Sequence, residues 1–340
     1  MYLRKTLMFS VMAGAVAAAL GWAIAPTTAS AETSDLRIAK QYGLGFLPLM
    51  VMESQDFLGK RTKEAGLTVK PQWLTFGGPA AMNDALLSRN VDIVSNGPPS
   101  FLVMWNRTLN TPSSVRAVAP LSLLPMWLMT RKADIKSLDQ FTSQDRIAVT
   151  AVKTSIPSII MQMWAAKKWG QKDYQRLDPL TTSLPHPDAM AALLSKTEIT
   201  AHFASPPYQY VELKRGLHRV ATSYELMGAP ATFSVTYATE AFAKENPKTL
   251  TAFYKAMEDS QKFIKEHPEA AADIYLKSSK EGVSKAEVLE ILKDKDVQFI
   301  MRPRSFVAYA KFMKDVGTLK STPASWKDLF FENAHGESGD

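Results

Sequence analysis

The sequence contains no cysteine. Thiol nucleophiles, disulfides, thiolate zinc sites, iron–sulfur clusters and thiolate-ligated haem are therefore excluded, and histidine is left as the side chain best suited to proton transfer. The five histidines, His186, His202, His218, His267 and His335, are separated by fifteen residues or more, so none has a local metal-ligand spacing. Only His186 stands in a candidate loop, where it reads equally as a ligand contact or as a helix-cap or loop residue. As a general base it would need an orienting partner, and spacing names none. Carboxylates such as Glu53, Asp56, Asp84 and Asp92 fall on helices or strands without an acid/base pairing. Walker A, H-E-x-x-H, EF-hand and G-x-S-x-G patterns do not occur. Gly43-Leu44-Gly45-Phe46-Leu47-Pro48 opens like a dinucleotide fingerprint, but Pro48 replaces the final small residue and no ribose-binding acid stands clearly about twenty residues on. No cofactor or metal is expected.

What recurs is a junction. Six times an extended run gives way to a helix through a short element that contains Pro and Gly, Ser, Asn or similar loop residues. These are Gly43-Leu44-Gly45-Phe46-Leu47-Pro48, Gly77-Gly78-Pro79-Ala80, Asn96-Gly97-Pro98-Pro99-Ser100, Thr154-Ser155-Ile156-Pro157-Ser158, Leu184-Pro185-His186-Pro187-Asp188 and Ser205-Pro206-Pro207-Tyr208. Proline suits the first helical turn because the amide it lacks would be unpaired there. The remaining first-turn amides point toward the carboxyl ends of the strands, where open α/β sheets bind ligands. Such termini carry about half a positive charge and hold anions without Lys or Arg. Each junction alone is ordinary punctuation; six spread along the chain point to a site. Asp188 complements the dipole of its own helix. Phe46, Trp127, Tyr208 and Phe233 lie near junctions or presumed crossovers and are candidates for an apolar cleft wall.

The elements that must position these groups alternate, which indicates an α/β fold with mainly parallel sheets. Strands are expected near residues 36–41, 69–76, 91–95, 115–119, 146–150 and 199–203. Asn246-Pro247 opens an amphipathic helix in which Leu250, Phe253, Tyr254, Met257, Gln261 and Ile264 recur at spacings of three and four. Ser284 and Glu287 form a capping box, residues 306–316 give another helix, and the polar tail 332–340 is expected to fray.

Arg4 and Lys5 precede an Ala-rich apolar run over residues 7–25, followed by Pro26 and Ala29-Ser30-Ala31. That order reads as a secretory signal peptide over residues 1–31, cleaved after Ala31; a retained membrane anchor is the alternative. Gly14, Gly21 and the cleavage triplet favour removal. Without Arg4 and Lys5, 38 basic residues face 33 acidic ones, and +5 scattered along the chain is too mild for a nucleic-acid surface.

The order of motifs over the whole mature length resembles the nitrate/sulfonate/taurine group of ABC-transporter substrate-binding proteins, the SsuA/TauA-like or NMT1/THI5-like family. The matching stretches are Leu36-Arg37-Ile38 leading to Gly45-Phe46-Leu47-Pro48, then Gly77-Gly78-Pro79 with Asn83-Asp84-Ala85-Leu86, and Val91-Asp92-Ile93 with Gly97-Pro98-Pro99. Pro187-Asp188-Ala189-Met190-Ala191-Ala192-Leu193 and Phe242 with Asn246-Pro247 follow. The resemblance implies a type II periplasmic binding protein, with two α/β lobes joined by two crossovers and a ligand cleft between them. One lobe would be residues 32–121 plus 235–340 and the other 125–226, with crossovers near 121–129 and 226–235.

It further implies a periplasmic, monomeric receptor without enzymatic activity, which captures a small molecule and delivers it to an inner-membrane permease powered by an ATPase. The expected ligand is an organosulfonate or a nitrate-like anion. Its oxygens would meet backbone amides at Gly78, Ala80 and Ser155 and the hydroxyls of Thr154 and Ser155. Phe46, Trp127 or Tyr208 would hold a tail. Leu47, Pro79, Asn96, Pro98, His186, Pro206 and Phe233 complete the candidate ligand-binding set. A pyrimidine or aromatic acid is the alternative ligand, and an exported enzyme using His186 the alternative class. Family members often carry an acid in the strand before Ser205-Pro206-Pro207, where this chain reads Thr200-Ala201-His202-Phe203-Ala204. The Thr154-Ser155 junction also lacks the glycine often found there.

Overall fold

The computed structural model describes residues 32–279 and 281–340, and the segment read as a signal peptide lies outside them. The first half runs β1 (Asp35–Lys40), α1 (Leu47–Ser54), α2 (Phe57–Glu64), β2 (Lys70–Thr75), α3 (Pro79–Leu87), β3 (Val94–Asn96), α4 (Pro98–Thr108) and β4 (Val115–Leu123). The chain then forms β5 (Trp127–Thr130), β6 (Ile147–Val149), α5 (Ile156–Trp169), β7 (Thr181–Ser183), α6 (His186–Leu194), β8 (Ala201–Ala204), α7 (Tyr208–Lys214), β9 (His218–Thr222) and α8 (Ser223–Met227). It returns through β10 (Thr232–Thr239) to the helices α9 (Glu240–Glu245), α10 (Pro247–Glu266), α11 (Pro268–Ser278), α12 (Lys285–Lys293) and α13 (Phe306–Asp315).

The strands form a parallel β1–β2 pair, a three-stranded sheet in the order β3-β10-β4, and a five-stranded sheet in the order β7-β6-β8-β5-β9. A parallel bridge between Ile38 and Ile93 ties the first pair to the segment entering β3. The chain passes to the five-stranded sheet between β4 and β5 and back between β9 and β10, so two connections join two α/β lobes. Two covalent links limit relative motion of the lobes to a hinge.

The β1–β2 pair is parallel, the three-stranded sheet antiparallel and the five-stranded sheet mixed, which corrects the expectation of mainly parallel pairing. The strands β10 and β5, which enter each sheet directly after a crossover, run antiparallel to their neighbours. Burial patterns do not encode direction, because a strand covered on both faces reads as a continuous apolar run either way. Four of the strands, β5, β7, β9 and β10, have no counterpart among the expected ones. β4 also extends past Pro120 to Leu123. Pro120 is tolerated because β4 has only β10 as its strand partner, and the register shifts beside it. The Pro120 and Leu121 carbonyls instead accept from Gln261 Nε2 at 3.0 and 3.1 Å.

Proline opens helices as expected at Pro48, Pro79, Pro98, Pro157, Pro187 and Pro247, and Pro268 opens α11 in the same way. The Ser284–Glu287 capping box is formed, with Ser284 Oγ accepting from the Glu287 amide. The α10 residues Leu250, Phe253, Met257 and Ile264 are buried in the main core. The tail does not fray. A short turn of 3-10 helix at Glu332–Ala334 buries Ala334, the Phe331 amide donates to the Ala117 carbonyl at 2.9 Å, and the Asp340 carbonyl accepts from the Phe306 amide at 3.2 Å. Polar composition misled here because a few small or aromatic contacts suffice to dock a segment. Ala334→Leu should therefore cost about 1–3 kcal/mol through overpacking, measured by urea denaturation; a frayed tail would show no change.

Candidate functional site

All six junctions lead into helices, and they meet in pairs across the gap between the lobes. The Leu44 amide donates to the Pro206 carbonyl at 2.8 Å, and Ser100 Oγ donates to the Thr154 carbonyl at 2.9 Å. A Cβ on Gly78 would lie 3.0 Å from the Thr150 carbonyl oxygen. Gly43, at φ 104°, occupies a conformation that side chains disfavour, and a Cβ there would lie 3.0 Å from the Pro206 carbonyl oxygen. Glycine is needed at these two positions because backbone meets backbone.

Between the paired junctions lies a cavity of about 30 Å³ lined by Gln41, Phe46, Pro79, Gly97, Ser100, Met126, Thr150, Ser155, Ile156, Pro157, His186 and Phe233. It has room for roughly one water-sized group. Both lobes contribute to the wall, with Met126 added from the connection between β4 and β5. Gln41, just past the end of β1, is held by a chain: its Nε2 donates to Asn96 Oδ1 at 2.8 Å, and Asn96 Nδ2 donates to Tyr237 Oη at 2.5 Å and Asn83 Oδ1 at 3.1 Å. Phe46 and Phe233 pack edge to face with centroids 5.8 Å apart. Phe233 sits directly on Gly45, where a Cβ would come within 2.3 Å of its ring.

Of the expected site residues, Phe46, Pro79, Ser155, His186 and Phe233 reach this cavity. Ser155 does so as wall only. Its amide donates to the Ala151 carbonyl at 3.2 Å and its hydroxyl to the same oxygen at 2.6 Å, so both donors expected to face a ligand turn inward. Among the described residues, the first-turn amides of α5 without a protein acceptor are those of Ile156 and Ser158. Asn96 acts from behind, through Gln41. Gly78 and Pro206 hold the junction pairs together. Pro98 is buried at the start of α4, and its junction reaches the cavity through Gly97 and Ser100.

Ala80 and Thr154 line a separate cavity of about 180 Å³. Leu47 is core. Trp127 is also core: it packs on Tyr210 at 4.5 Å, lies under the Arg219 guanidinium at 4.9 Å, and belongs to the cluster that α6 makes with the five-stranded sheet. Its position on β5, a strand absent from the sequence expectation, explains the misplacement. Tyr208 stands behind His186, stacked on it at 5.4 Å, with its hydroxyl donating to Glu281 Oε1 at 2.8 Å. It lines a neighbouring cavity of about 480 Å³ that also includes Asp188.

Gln41 and Thr150 are wall residues the sequence reading missed. Both are polar residues where a strand ends before a junction, and that position was the available signal. Met126, flanked by Pro125 and Trp127 in a crossover, carried no such signal. His202 and Glu212 were also missed as partners of His186. His186 Nδ1 lies 2.8 Å from His202 Nε2, and His202 Nδ1 lies 2.6 Å from Glu212 Oε1. His186 is 6% exposed and the other two 0%. Burial lowers the pKa of His202 to about 3 and holds His186 well below the usual imidazole range, with repulsion from His202 adding to the latter. Burial also raises the Glu212 carboxyl well above its usual range. The three form a buried hydrogen-bonded row in which burial favours the uncharged form of each member.

Residues 29–276 match the model of the NMT1-like family. The chain belongs to the NMT1-like family. No curated protein matches it. The alkanesulfonate-binding protein SsuA from Xanthomonas axonopodis pv. citri, bound to MOPS, is similar at 16% identity over 86% of this chain and 96% of its own, with a TM-score of 0.65. The periplasmic nitrate-binding protein NrtA from Synechocystis PCC 6803 is similar at 15% identity over 90% and 88%, with a TM-score of 0.67. The periplasmic aliphatic sulphonate binding protein SsuA from Escherichia coli is similar at 17% identity over 90% and 100%, with a TM-score of 0.62. These likenesses establish the periplasmic binding protein fold for this NMT1-like chain. Among its described residues, no cluster of three metal-ligating side chains occurs and no helix is long and apolar enough to cross a membrane.

The neutral row has a consequence for stability. On unfolding, the two histidines take up protons below pH 6.5, so their contribution is lost as the pH falls through that value. Glu212, protonated when folded, releases its proton on unfolding above pH 4.5, so its contribution falls as the pH rises toward its raised folded value. The histidines and the carboxyl thus push the stability in opposite directions as the pH changes. Relative to the parent, Glu212→Gln should gain up to about 1.4 kcal/mol per pH unit above pH 4.5. Urea denaturation of both proteins across this range checks the slope; parallel curves would contradict a protonated Glu212.

Proposed function

We propose that this protein is the solute receptor of an ABC importer, closing its lobes on a small oxyanion, foremost an organosulfonate or a nitrate-like anion, and presenting the closed form to a membrane permease and its ATPase. The lobes are assigned as residues 32–121 with 235–340, and 125–226. A cleaved leader over residues 1–31 would place it in the periplasm as a monomer that performs no bond chemistry.

The observation that carries this reading is the cavity whose wall is drawn from both lobes at helix starts: Pro79 of α3, Ile156 and Pro157 of α5, and His186 of α6. Among the described residues, no Lys or Arg is in that wall. Helix termini and neutral donors are what it offers, and these suit an anion whose charge is spread over several oxygens. At about 30 Å³ the cavity is too small for an organosulfonate, so capture requires the lobes to part about the two connections and close again. The SsuA and NrtA likenesses support the same class of ligand. A second reading, a pyrimidine or aromatic acid, draws on the Phe46–Phe233 pair in the wall.

Thermal-shift measurements with methanesulfonate, nitrate, cytosine and benzoate separate the readings, because a bound ligand raises the melting temperature by mass action. Methanesulfonate or nitrate should raise it; a response confined to cytosine or benzoate replaces the oxyanion reading, and no response to any of the four removes both. Gly78→Val places side-chain atoms against the Thr150 carbonyl, where even a Cβ lies at 3.0 Å, and so opposes closure. It should weaken methanesulfonate binding at least ~10-fold, about 1.4 kcal/mol, in calorimetry while leaving the melting temperature of the free protein nearly unchanged.

A further inference from the structure

We propose that Glu212, acting through His202, fixes His186 as an N–H donor toward the cleft, so that the solute atom His186 reads is a hydrogen-bond acceptor. This rests on the reading of the cavity beside His186 as the solute site. His186 lines that cavity, its Nδ1 is engaged by His202, and among the described residues its Nε2 has no protein partner.

Counting protons along the row decides its polarity. If Glu212 were ionised with both rings neutral, Oε1 would accept from His202 Nδ1–H and His202 Nε2 would accept from His186 Nδ1–H. His186 Nε2 would then be a bare acceptor, and the row would hold a buried negative charge. Glu212 Oε2, buried and without a hydrogen-bond partner among the described residues, would carry part of that charge unsatisfied. A proton on Oε2 would instead leave an orphaned O–H. With the proton on Oε1, both contacts within the row have a donor and an acceptor: Glu212 donates to His202 Nδ1, His202 Nε2–H donates to His186 Nδ1, and His186 Nε2–H is left for the cleft.

The charged and titratable groups on the packed elements do not alter this. Asp188 lies on α6, Lys214 on α7 with Arg215 just past its end, and His218 and Arg219 on β9. Arg219 is placed over Trp127, and Lys214 pairs with Glu287. Tyr208, stacked on His186, commits its hydroxyl to Glu281. Among the described residues, none of these forms a hydrogen bond or ion pair with the side chains of His186, His202 or Glu212. The row therefore supplies a fixed donor where the cavity wall has no cation, and its direction is set two residues away from the solute.

Nitrogen-15 NMR of the purified protein labelled at histidine reads the tautomers directly, with His186→Gln and His202→Gln assigning the signals. Between about pH 6 and 8, both rings should be neutral and protonated on Nε2. An Nδ1-protonated His186, or either ring titrating as an imidazolium in that range, overturns the proposal. Glu212→Gln can still donate through its amide and should keep the tautomer and the methanesulfonate affinity. Glu212→Leu cannot donate and should release the tautomer and weaken that affinity at least ~10-fold; unchanged binding and tautomer in this variant also overturn the proposal. If neither methanesulfonate nor nitrate binds while His186 remains Nε2-protonated, the oxyanion reading fails and the polarity of the row stands. If they bind to an Nδ1-protonated His186, the oxyanion reading stands and this proposal fails.

Discussion

Backbone meets backbone across the cleft, and that close approach constrains much of what surrounds it. The Leu44 amide on the Pro206 carbonyl, and Gly78 against the Thr150 carbonyl, leave no space for side chains at the points of contact. Polar backbone groups cannot be buried together unless they are paired or kept accessible. Helix starts meet this condition, because their first amides have no partner in the helix and can be turned toward a guest. Proline in the first turn removes one of those amides and selects which remain, as in α5, where Ile156 and Ser158 keep theirs.

The same economy explains the absence of cations from the cavity wall. A Lys or Arg enclosed between closing lobes would have to be desolvated each time the cleft closed without a guest. Helix termini and a neutral histidine row carry a smaller penalty, because their dipoles are partly satisfied by the structure itself. The cost is that the row must be buried as a unit: His202 and Glu212 are fully enclosed, and that enclosure favours the uncharged forms of the two histidines and the carboxyl.

Some parts of the molecule were legible from residue types and others were not. The helix starts could be read, since proline and capping residues act locally. The amphipathic α10 could be read from its spacing. The direction of β5 and β10 could not, because it depends on the side from which a crossover enters a sheet. Trp127 was misread as cleft wall for the same reason: a strand that was not foreseen carries it into the core on the α6 and α7 side. Ser155 illustrates a finer limit. Its type and position suit a ligand donor, yet the turn at Ala151 captures both its amide and its hydroxyl.

The sequence by itself determined the class of fold, the places where helices begin, the lack of thiol and local metal chemistry, and the kinship of the chain, because each of these follows from neighbouring residues or from the order of motifs. Tertiary structure alone decided which junctions face one another, which of their donors stay free, and that His186, His202 and Glu212 form one row. Those three residues lie on α6, β8 and α7, and only the packing of two helices on one sheet brings their polar atoms within hydrogen-bond distance.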